Sequence, residues 1–308
     1  MQEFIQNFNK KLDDKIKQLG IEIHQRINYG IMVENNDIDL KLMVKSLLTQ
    51  QDQTYPYTHI EIAIKDYDFT LKATNSNIFI YGEYQKLCRN MSQTKFFKKD
   101  IPSVEDFSDQ LIQFFQCKKI NFIGFGREDI DVQMIGYRPF ILEIIAPTRN
   151  LNFKSLDLNL NTSVSLKNFK IVDPKIKYLF HEKMESKHKT YRTLIFCKNM
   201  RKLSLGRINI QQKTPLRVLH RRGNLMREKE LEILELRQDG NFCECIIKAE
   251  AGTYIKEFIN GDFGRTKPSI SDVMNEYADC LELDVLEIEQ LEIPKELVID
   301  ECNLNIIK

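Results

Sequence analysis

Short segments in which apolar and polar residues alternate recur along most of this 308-residue chain. A period of two residues is typical of strands that bury one face of a sheet. The first two examples are HIEIAIK at 59–65 and NIFIYGEY at 77–84, with Asn-rich turns between them. Further strands are predicted at 119–125, 139–145, 155–172, 190–197, 231–238, 242–249 and 281–289. Together with a smaller number of helices, this pattern predicts a mixed α+β fold.

Helical periodicity marks the other regular segments. Apolar residues recur at helical spacing from Phe4 to Leu19, and the run ends at a glycine, which predicts an amphipathic helix over 3–19. Ser103 stands ahead of an acidic pair and predicts an N-cap, with its helix continuing to about Cys117. Further helices are predicted near 37–49, 174–183 and 253–260.

The first hundred residues combine two predicted helices with two predicted strands, as a small α+β module does. The charged, turn-like segment FKKDIPS at 97–103 is the predicted boundary. We therefore expect one domain over 1–100 and a second, strand-rich domain over 101–308. The sequence shows no internal repeat and no low-complexity linker.

Composition excludes several classes of protein. Hydrophobic residues make up 42% of the chain and charged residues 29%, unlike the composition of disordered chains. The longest apolar runs have only a few residues, whereas a membrane helix needs about 18. The first twenty residues mix acids and bases and contain no apolar segment typical of a secretory signal. An intracellular protein is therefore predicted, with nucleus and cytoplasm both open.

Cysteine and histidine patterns give little support to a metal site. The seven cysteines include no CxxC pair, and the five histidines show no HxxxH or HExxH spacing. Cys243 and Cys245 lie two residues apart in a predicted strand, where both would face one way. We favour a structural role for this pair and expect no metal ligand in the chain.

Charge is unevenly distributed although the net charge is only +1. Residues 186–227 contain twelve Lys or Arg and no acid, whereas residues 271–301 contain eleven acids and one base. Basic residues interleaved with Tyr191, Phe196 and His220 suit a surface that follows phosphates. A solvated basic hairpin packed against the acidic tail would show the same pattern, so charge alone leaves both interpretations open.

The segment GFGREDIDVQMIG at 124–136 places an arginine and three acids at the end of a predicted strand. Gly124 and Gly126 allow another group to approach the backbone closely. Taken alone this pattern is weak, because a carboxylate beside an arginine is more often a structural ion pair than a catalyst. Its interpretation depends on the other motifs of the chain.

Those motifs occur in a fixed order along the sequence. They are GEYQKLCRNMSQT (82–94), GREDIDV, RPFILEI (138–144), TYRTLIF (190–196), QKTPLRVLHRR (212–222), AGTYIKEFINGDFGRTKPS (251–269) and ADCLELDV (278–285). In this order they resemble the archaeal and eukaryotic tRNA pseudouridine synthases of the Pus-ten type, over roughly residues 77–290. The GRxD and YI(K/R) signatures also recur across pseudouridine synthases generally. The resemblance implies the pseudouridine synthase fold, with a mixed, mainly antiparallel central sheet and flanking helices.

The resemblance also implies roles for the residues that match family motifs. Asp129 of GRxD would be the essential carboxylate, which attacks the target nucleotide at the sugar or the base. Tyr191 would stack on the flipped uracil, and Lys256 would pair with the catalytic Asp. Ile255 and Leu283 would wall the pocket, a role that is compatible with ordinary core packing. The bonds broken and made lie within one nucleotide, so no cofactor is expected.

The charged neighbours of these residues are assigned in the same way. Asp131 would face the same way as Asp129 on a strand, so spacing alone leaves either as nucleophile, and the motif favours Asp129. Arg127 is expected to help in flipping or phosphate contact, and Glu128 is expected to be structural. The candidate tRNA contacts, each with an ordinary surface charge as its alternative, are Arg217, Arg221, Arg222, Arg265, Lys267 and Arg89.

The front of the chain departs from the family pattern. Members of this type usually carry a longer N-terminal accessory region with a THUMP-like RNA-binding fold and, commonly, two CxxC pairs for zinc. This chain has no CxxC pair and fewer than 130 residues ahead of Asp129. Residues 1–100 are therefore interpreted as a reduced THUMP-like accessory module.

The function that the resemblance implies is a tRNA pseudouridine synthase acting on T-loop uridines, at position 54, position 55 or both. Its partner would be the T-arm of tRNA, no membrane would be involved, and a monomer is expected. The alternative is a tRNA-folding chaperone that has lost catalysis, which predicts decay of the acid or of the stacking tyrosine. A hydrolase using Asp129 and Asp131 as a carboxylate pair rests on spacing alone.

Overall fold

The computed structural model of the chain describes residues 2–24, 26–48, 54–95, 101–149, 156–301 and 304–307. The helices within these ranges are α1 (Gln2–Lys17), α2 (Ile38–Leu47), α3 (Ser108–Phe115), α4 (Ile176–Met184), α5 (Ile255–Asn260) and α6 (Ile270–Met274). The strands are β1 (Ile27–Val33), β2 (Thr58–Lys65), β3 (Asp68–Asn75), β4 (Ile78–Lys86), β5 (Lys119–Gly124), β6 (Gln133–Ile145), β7 (Leu156–Asn159), β8 (Val164–Val172), β9 (Lys189–Cys197), β10 (Gly206–Lys213), β11 (Met226–Asp239), β12 (Phe242–Ala249), β13 (Thr266–Lys267), β14 (Ala278–Ile288), β15 (Val298–Glu301) and β16 (Leu304–Ile307). None of the described helices has both the length and the apolar character that a membrane crossing requires.

Eleven strands form one large sheet in the order β13-β10-β11-β12-β9-β14-β6-β4-β8-β15, with β5 paired to β6 beside this path. Paired strands run antiparallel except β6 and β14, which are parallel. The alternating sequence explains this placement, because β12 buries every second side chain and exposes or half-exposes those between. The prediction of a mixed fold with a mainly antiparallel central sheet is confirmed.

The main hydrophobic core lies on this sheet, and α3 to α6 all bury apolar side chains in it. Phe140 of β6 stacks on Phe122 of β5 with ring centroids 5.0 Å apart. Phe180 of α4 meets Tyr81 of β4 edge to face at 6.3 Å. Burying a large apolar side chain of this kind stabilises a fold by roughly 1.5–3 kcal/mol. The helix α5 is tied to the same core by Phe258, which fixes the residues at its N-terminus.

Strands β1, β2 and β3 form a separate three-stranded sheet, in which β1 is parallel to β2 and β2 is antiparallel to β3. The helices α1 and α2 pack on it around a second hydrophobic cluster that includes Phe8, Val44 and Ile60. The amphipathic helix predicted over 3–19 is confirmed as α1. Strand β1 was not predicted, because six of its seven residues are partly or fully exposed and the sequence INYGIMV shows no alternation.

The change from one core to the other falls between Asn75 and Ile78. The sequence pattern groups strand 77–84 with the N-terminal module, but in the structure β4 pairs with β6 and β8 of the large sheet. The grouping of this strand with the N-terminal module is therefore corrected. The physical reason is that the apolar residues of β4 are buried on both faces, whereas a strand at the edge of a small module buries one face only. The side-chain amide of Asn75 links the two parts, donating to the main-chain oxygen of Pro147 at 3.2 Å.

The predicted boundary at 97–103 lies partly outside the described residues. The division into domains 1–100 and 101–308 therefore stays a prediction. The segment 155–172, predicted as one strand, holds β7 and β8 instead. A turn separates these strands, in which the side chain of Asn161 accepts a hydrogen bond from the main-chain N–H of the residue two positions later.

Candidate active site

The acids of the GREDIDV motif lie in the loop that connects β5 to β6. Within this loop Gly126 has a φ of 78°, a left-handed conformation that glycine adopts readily. A Cβ at this position would lie 3.1 Å from Nη1 of Arg138 and 3.3 Å from Nζ of Lys189. The backbone angle therefore favours glycine at this position, and a Cβ would also crowd the two cations packed against the loop.

Glu128 anchors the loop from inside the protein. Its Oε2 lies 3.0 Å from Nε of Arg138, and its Oε1 lies 3.8 Å from Nζ of Lys86. All three side chains are no more than 1% exposed, and the hydroxyl of Tyr84 donates to Oε2 of Glu128 at 2.9 Å. Lys86 also donates to the main-chain oxygen of Asp129 at 3.1 Å. This buried ionic cluster, made of Lys86, Glu128 and Arg138, holds the backbone that carries Asp129.

Asp129 has two cations beside its carboxylate. Nη1 of Arg217 lies 2.8 Å from Oδ2 of Asp129, and Nζ of Lys256 lies 3.7 Å from the same oxygen. Lys256 is closer to Asp131, at 2.6 Å. Burial raises the pKa of Asp131, but the hydrogen bond and charge of Lys256, with a main-chain hydrogen bond and the charge of Arg217, together lower it. The sequence predicts Lys256 as the partner of the catalytic acid, whereas the structure places Lys256 between two acids and brings Arg217 nearest to Asp129.

Arg217 is itself fixed by a second acid. Its Nε donates to Oε1 of Glu257 at 2.6 Å, and the carboxylate of Glu257 is 5% exposed. The guanidinium lies 6.0 Å from the ring centre of Tyr254. Burial lowers the pKa of Arg217, but the bond to Glu257 and the charge of Asp129 outweigh it and the pKa is raised. Arg217 therefore stays charged and orients the carboxylate of Asp129. The sequence had no signal for this ion pair, because the partners are far apart in the chain.

Asp129 faces a cleft with a volume of about 650 Å³. Tyr191, Ile255, Lys256 and Leu283 line it, so the structure gathers the predicted acid and the predicted pocket residues around one space. Burial raises the pKa of Tyr191 to about 12 although Arg138 lowers it in part, so the phenol keeps its proton at neutral pH. The arginines that line the cleft are Arg127, Arg138, Arg217, Arg221, Arg222 and Arg227.

Three predicted RNA contacts lie outside the cleft lining. Arg89 pairs with Asp284 and, at 3.0 Å, with Glu282. Arg265 donates from Nη2 to the main-chain oxygen of Thr214 at 2.8 Å. Lys267 is exposed on the short edge strand β13. Arg89 and Arg265 thus have structural contacts in the protein, and an RNA-binding role for any of the three stays a prediction.

The uneven charge of the sequence has two outcomes in the structure. Around β9, Arg192 pairs with Asp284 of the neighbouring strand β14 at 2.7 Å, and Lys187 pairs with Glu289 at 3.4 Å. Residues 213–227 contain no acid and contribute four arginines to the cleft. Pairing with the acidic tail therefore accounts for Lys187 and Arg192 of the basic stretch. The segment 213–227 forms a cationic wall of the cleft.

Cys243 and Cys245 lie on one face of β12, as the alternation predicts. Their Sγ atoms are 3.5 Å apart, and both side chains are buried in the main core. Across the described ranges, no group of three or more His, Cys, Asp or Glu side chains is arranged to hold a metal ion. The surroundings of the two cysteines are those of a structural pair.

Lys189 belongs to the cleft although no sequence motif singled it out. It lies two residues before Tyr191 on β9, so the two side chains leave the same face of the strand. Its Nζ makes no hydrogen bond or ion pair within the part of the chain that the structure describes. Burial, followed by the charge of Arg138, lowers the pKa of Lys189 to about 8, and Glu128 opposes this shift. Lysines in alternating strands are usually solvent-exposed, which is why the sequence gave no signal.

We expect Lys189→Met to stabilise the protein at pH 7. The pKa of Lys189 is about 8 in the folded chain, below the ordinary 10.5, so folding disfavours its charged form. Between pH 8 and pH 10.5 the unfolded chain binds more protons at Lys189 than the folded chain does. The free energy of unfolding of the wild type therefore rises with pH over this range. The free energy of unfolding of Lys189→Met should exceed that of the wild type by on the order of 1–2 kcal/mol at pH 7, allowing for solvent screening. This difference should decrease toward pH 10.5. Urea unfolding at both ends of that range measures it, and a gain that grows with pH would contradict it.

Comparison with known families agrees with the resemblance carried by the motifs. A cleft with an acid, a partly buried tyrosine and cationic walls, on a mainly antiparallel sheet, fits what that resemblance to pseudouridine synthases implies. The family model described as Pus10, C-terminal matches residues 79–289, which is more than half of the chain and includes Asp129, Tyr191 and Lys256. The chain belongs to the Pus10 C-terminal family.

Curated relatives come from both eukaryotes and archaea and are named tRNA pseudouridine synthase Pus10. The Homo sapiens relative is 37% identical over 240 residues, which cover 71% of this chain and 45% of that protein. The Methanocaldococcus jannaschii relative is 34% identical over 307 residues, which cover 90% of this chain and 67% of that protein. The chain thus spans about half the length of the vertebrate relatives that it matches. A solved structure, the archaeal box H/ACA sRNP Nop10-Cbf5 complex, matches at 15% identity with a TM-score of 0.31, over 67% of this chain and 47% of that chain.

Proposed function

We propose that this chain carries the catalytic domain of a tRNA pseudouridine synthase, which isomerises uridine to pseudouridine within RNA. The position of Asp129 carries the proposal. A buried ionic cluster holds its backbone, two cations contact its carboxylate, and a cleft of about 650 Å³ opens in front of it. The names of the relatives at 34% and 37% identity support the same activity.

The reaction exchanges one bond for another within a single nucleotide. The bond between N1 of uracil and C1′ of ribose breaks, the uracil rotates, and a bond forms between C5 and C1′. The carboxylate of Asp129 starts this exchange by attacking the nucleotide, at the sugar or at the base, and the bond that it forms breaks again by the time C5 has joined C1′, which regenerates the carboxylate. The hydrogen on C5 leaves as a proton, and N1 gains one, so atoms and charge balance without an oxidant or a cofactor.

The other residues of the cleft position the reacting groups. Arg217 and Lys256 orient the carboxylate of Asp129 from two sides. Tyr191, which is neutral because burial raises its pKa to about 12, stacks its ring on the uracil. Ile255 and Leu283 are almost fully buried and bound the apolar side of the pocket. A base held in this way is kept from re-entering its own stack.

RNA binding is assigned to the cationic walls. A base inside a folded RNA leaves its stack at a cost of a few kcal/mol, and phosphate contacts offset that cost. Arg127, Arg221 and Arg222 line the cleft and make no ion pair with any described residue, so their charges are available to phosphates. Arg217 is already engaged by two acids, and we therefore assign it to the carboxylate rather than to phosphate.

The finer assignments follow the family resemblance. The T-arm of tRNA is the proposed partner, and the proposed target is the uridine at position 54, at position 55 or at both. The large sheet is proposed to have the pseudouridine synthase fold, and β1 to β3 with α1 and α2 to be a reduced THUMP-like accessory module that adds RNA affinity. We propose that the protein acts as a monomer inside the cell, in the nucleus, the cytoplasm or both.

Four transcripts of one tRNA test the target position. They carry uridine at 54 alone, at 55 alone, at both or at neither, with cytidine as the replacement. We expect pseudouridine wherever the transcript keeps a target uridine and none in the transcript with two cytidines, as mapped by primer extension after carbodiimide treatment. Tight binding of all four without pseudouridine in any would reject the synthase and favour the tRNA-folding chaperone.

A further inference from the structure

A left-handed turn connects α5 to β13. Gly261, Asp262, Phe263 and Gly264 all have positive φ, at 79°, 44°, 56° and 82°. Glycine adopts this region readily, but a Cβ makes it unfavourable, and a bulky residue such as phenylalanine is a clear outlier there. Such strain persists only where surrounding contacts enforce it, and it concentrates at functional sites. The turn therefore needs an explanation that packing alone does not give.

Contacts of the neighbouring residues enforce the turn, and Phe263 adds nothing to it. Oδ2 of Asp262 accepts a hydrogen bond from the main-chain N–H of Leu216 at 3.1 Å. The main-chain N–H of Thr266 donates to the oxygen of Gly261, also at 3.1 Å. Phe263 itself is 95% exposed, and its ring makes no aromatic or cation contact with any residue that the structure describes. A strained backbone therefore holds the ring of Phe263 in contact with solvent.

The turn that carries Phe263 contacts the basic segment that forms one wall of the cleft, residues 213–227. Arg265 joins the two, donating from Nη2 to the oxygen of Thr214 and accepting at its own oxygen from the N–H of Lys213, both at 2.8 Å. The segment holds five Lys or Arg and no acid. The exposed cations of this surface that make no ion pair with any described residue are Lys213, Arg221, Arg222 and Lys267.

An exposed aromatic ring beside unpaired cations is the arrangement that binds single-stranded nucleic acid. Bases stack on the ring because every base has a π face, and phosphates meet the cations. Leu216, Leu225 and Met226 of the same segment are also exposed, at 45%, 56% and 52%, and widen the apolar surface. Because Arg221 and Arg222 also line the cleft, one RNA strand can contact both the cleft and this surface.

We propose that Phe263 stacks on an unpaired base of the substrate RNA, a base other than the one that enters the cleft. The proposal rests on the proposed function, since it requires an RNA whose target nucleotide occupies the neighbouring cleft. Phe263 does not line that cleft, so the stacked base is distinct from the target. Stacking there adds affinity and holds the RNA while the target base is out of its own stack. Phe263 takes no part in the exchange of bonds.

Binding of an unmodified tRNA transcript, measured at several salt concentrations, tests the role of the ring. Asparagine adopts the left-handed region more readily than phenylalanine, so Phe263→Asn keeps the turn and removes the ring. We expect the dissociation constant to rise about 5- to 100-fold for Phe263→Asn and less than about threefold for Phe263→Tyr. The slope of log affinity against log salt should not change, because no phosphate contact is lost.

Tyr178 supplies a control for an exposed ring outside this surface. It lies on α4, is 80% exposed and belongs neither to the cleft lining nor to residues 213–227. Tyr178→Ala should leave the dissociation constant unchanged. An unchanged dissociation constant for Phe263→Asn, or an equal rise for Tyr178→Ala, would overturn the stacking role and would favour a protein partner for the exposed ring.

Pseudouridine formation at saturating protein separates this proposal from the proposed function. If the wild type forms pseudouridine and Phe263→Asn binds tRNA as tightly as the wild type, the stacking role alone fails. If tRNA affinity depends on Phe263 but the wild type forms no pseudouridine, the synthase proposal fails and the stacking site stands. The expected result is pseudouridine formation by both proteins, with Phe263→Asn requiring a higher protein concentration to reach the same rate.

Discussion

Asp129→Asn is expected to lower the single-turnover rate of pseudouridine formation by about ten-thousand-fold or more, with tRNA binding retained. Asparagine has nearly the same shape, but its neutral amide is a poor nucleophile, and removing the attacking group of an enzyme typically costs this much. The buried ionic cluster holds the main-chain oxygen of residue 129 and not its side chain, so the loop should stay in place. Pseudouridine in a tRNA transcript, quantified over time at saturating protein, measures the rate.

Asp131→Asn is the matched control for that prediction. Asp131 contacts the same lysine, at 2.6 Å from Nζ of Lys256, but its side chain is 61% exposed against 35% for Asp129. Losing it frees Lys256 for Asp129 and removes no attacking group, so we expect a change of less than about tenfold. A loss as large as that of Asp129→Asn would contradict the assignment of the attack to Asp129 alone.

Glu128→Gln is expected to reduce the free energy of unfolding by about 3–5 kcal/mol, because it leaves two buried cations without their acid. The side chains of Lys86 and Arg138 are 0% and 1% exposed, so neither can turn to solvent without disrupting the fold. Burial already lowers the pKa of Lys86, and Glu128 opposes that shift, so the charged lysine loses support in the variant. Urea unfolding followed by circular dichroism measures the change.

Glu34→Gln is the matched control at the surface. It removes the acid of an ion pair whose N···O distance is similar to that between Arg138 and Glu128. Oε1 of Glu34 lies 2.9 Å from Nζ of Lys65, and the two side chains are 41% and 71% exposed. Water replaces such a contact, so we expect no measurable loss of stability. Equal losses for Glu34→Gln and Glu128→Gln would contradict the role given to the buried ionic cluster.

The sequence predicted most of the strands of the large sheet but not their order. The strands predicted at 190–197 and 242–249 correspond to β9 and β12, because each buries alternate side chains on one face. Nothing local indicates that β14 inserts between β9 and β6, since that order depends on pairing between segments distant in sequence. Strand β1 escaped prediction for a related reason, because its mostly half-exposed side chains leave no alternation to detect.

The sequence predicted those residues of the candidate site that belong to a motif. It did not predict the residues whose environment depends on contacts between distant parts of the chain. Asp129, Tyr191 and Lys256 could be placed because each stands within a motif, and all three line one cleft. The partnership of Arg217 with Asp129 joins residues 88 positions apart and has no local pattern. Lys86 is fully buried, although lysine in an alternating segment is typical of a solvent-facing position.

Tritium release from an unmodified tRNA transcript labelled at C5 of uracil is the most direct test of the proposed synthase. Isomerisation must expel the hydrogen on C5, and binding or refolding of the tRNA leaves it in place. We expect the wild-type chain to release close to one tritium for each target uridine, and Asp129→Asn to release almost none. Tight binding of the transcript by the wild type with no release of tritium would contradict the proposed activity.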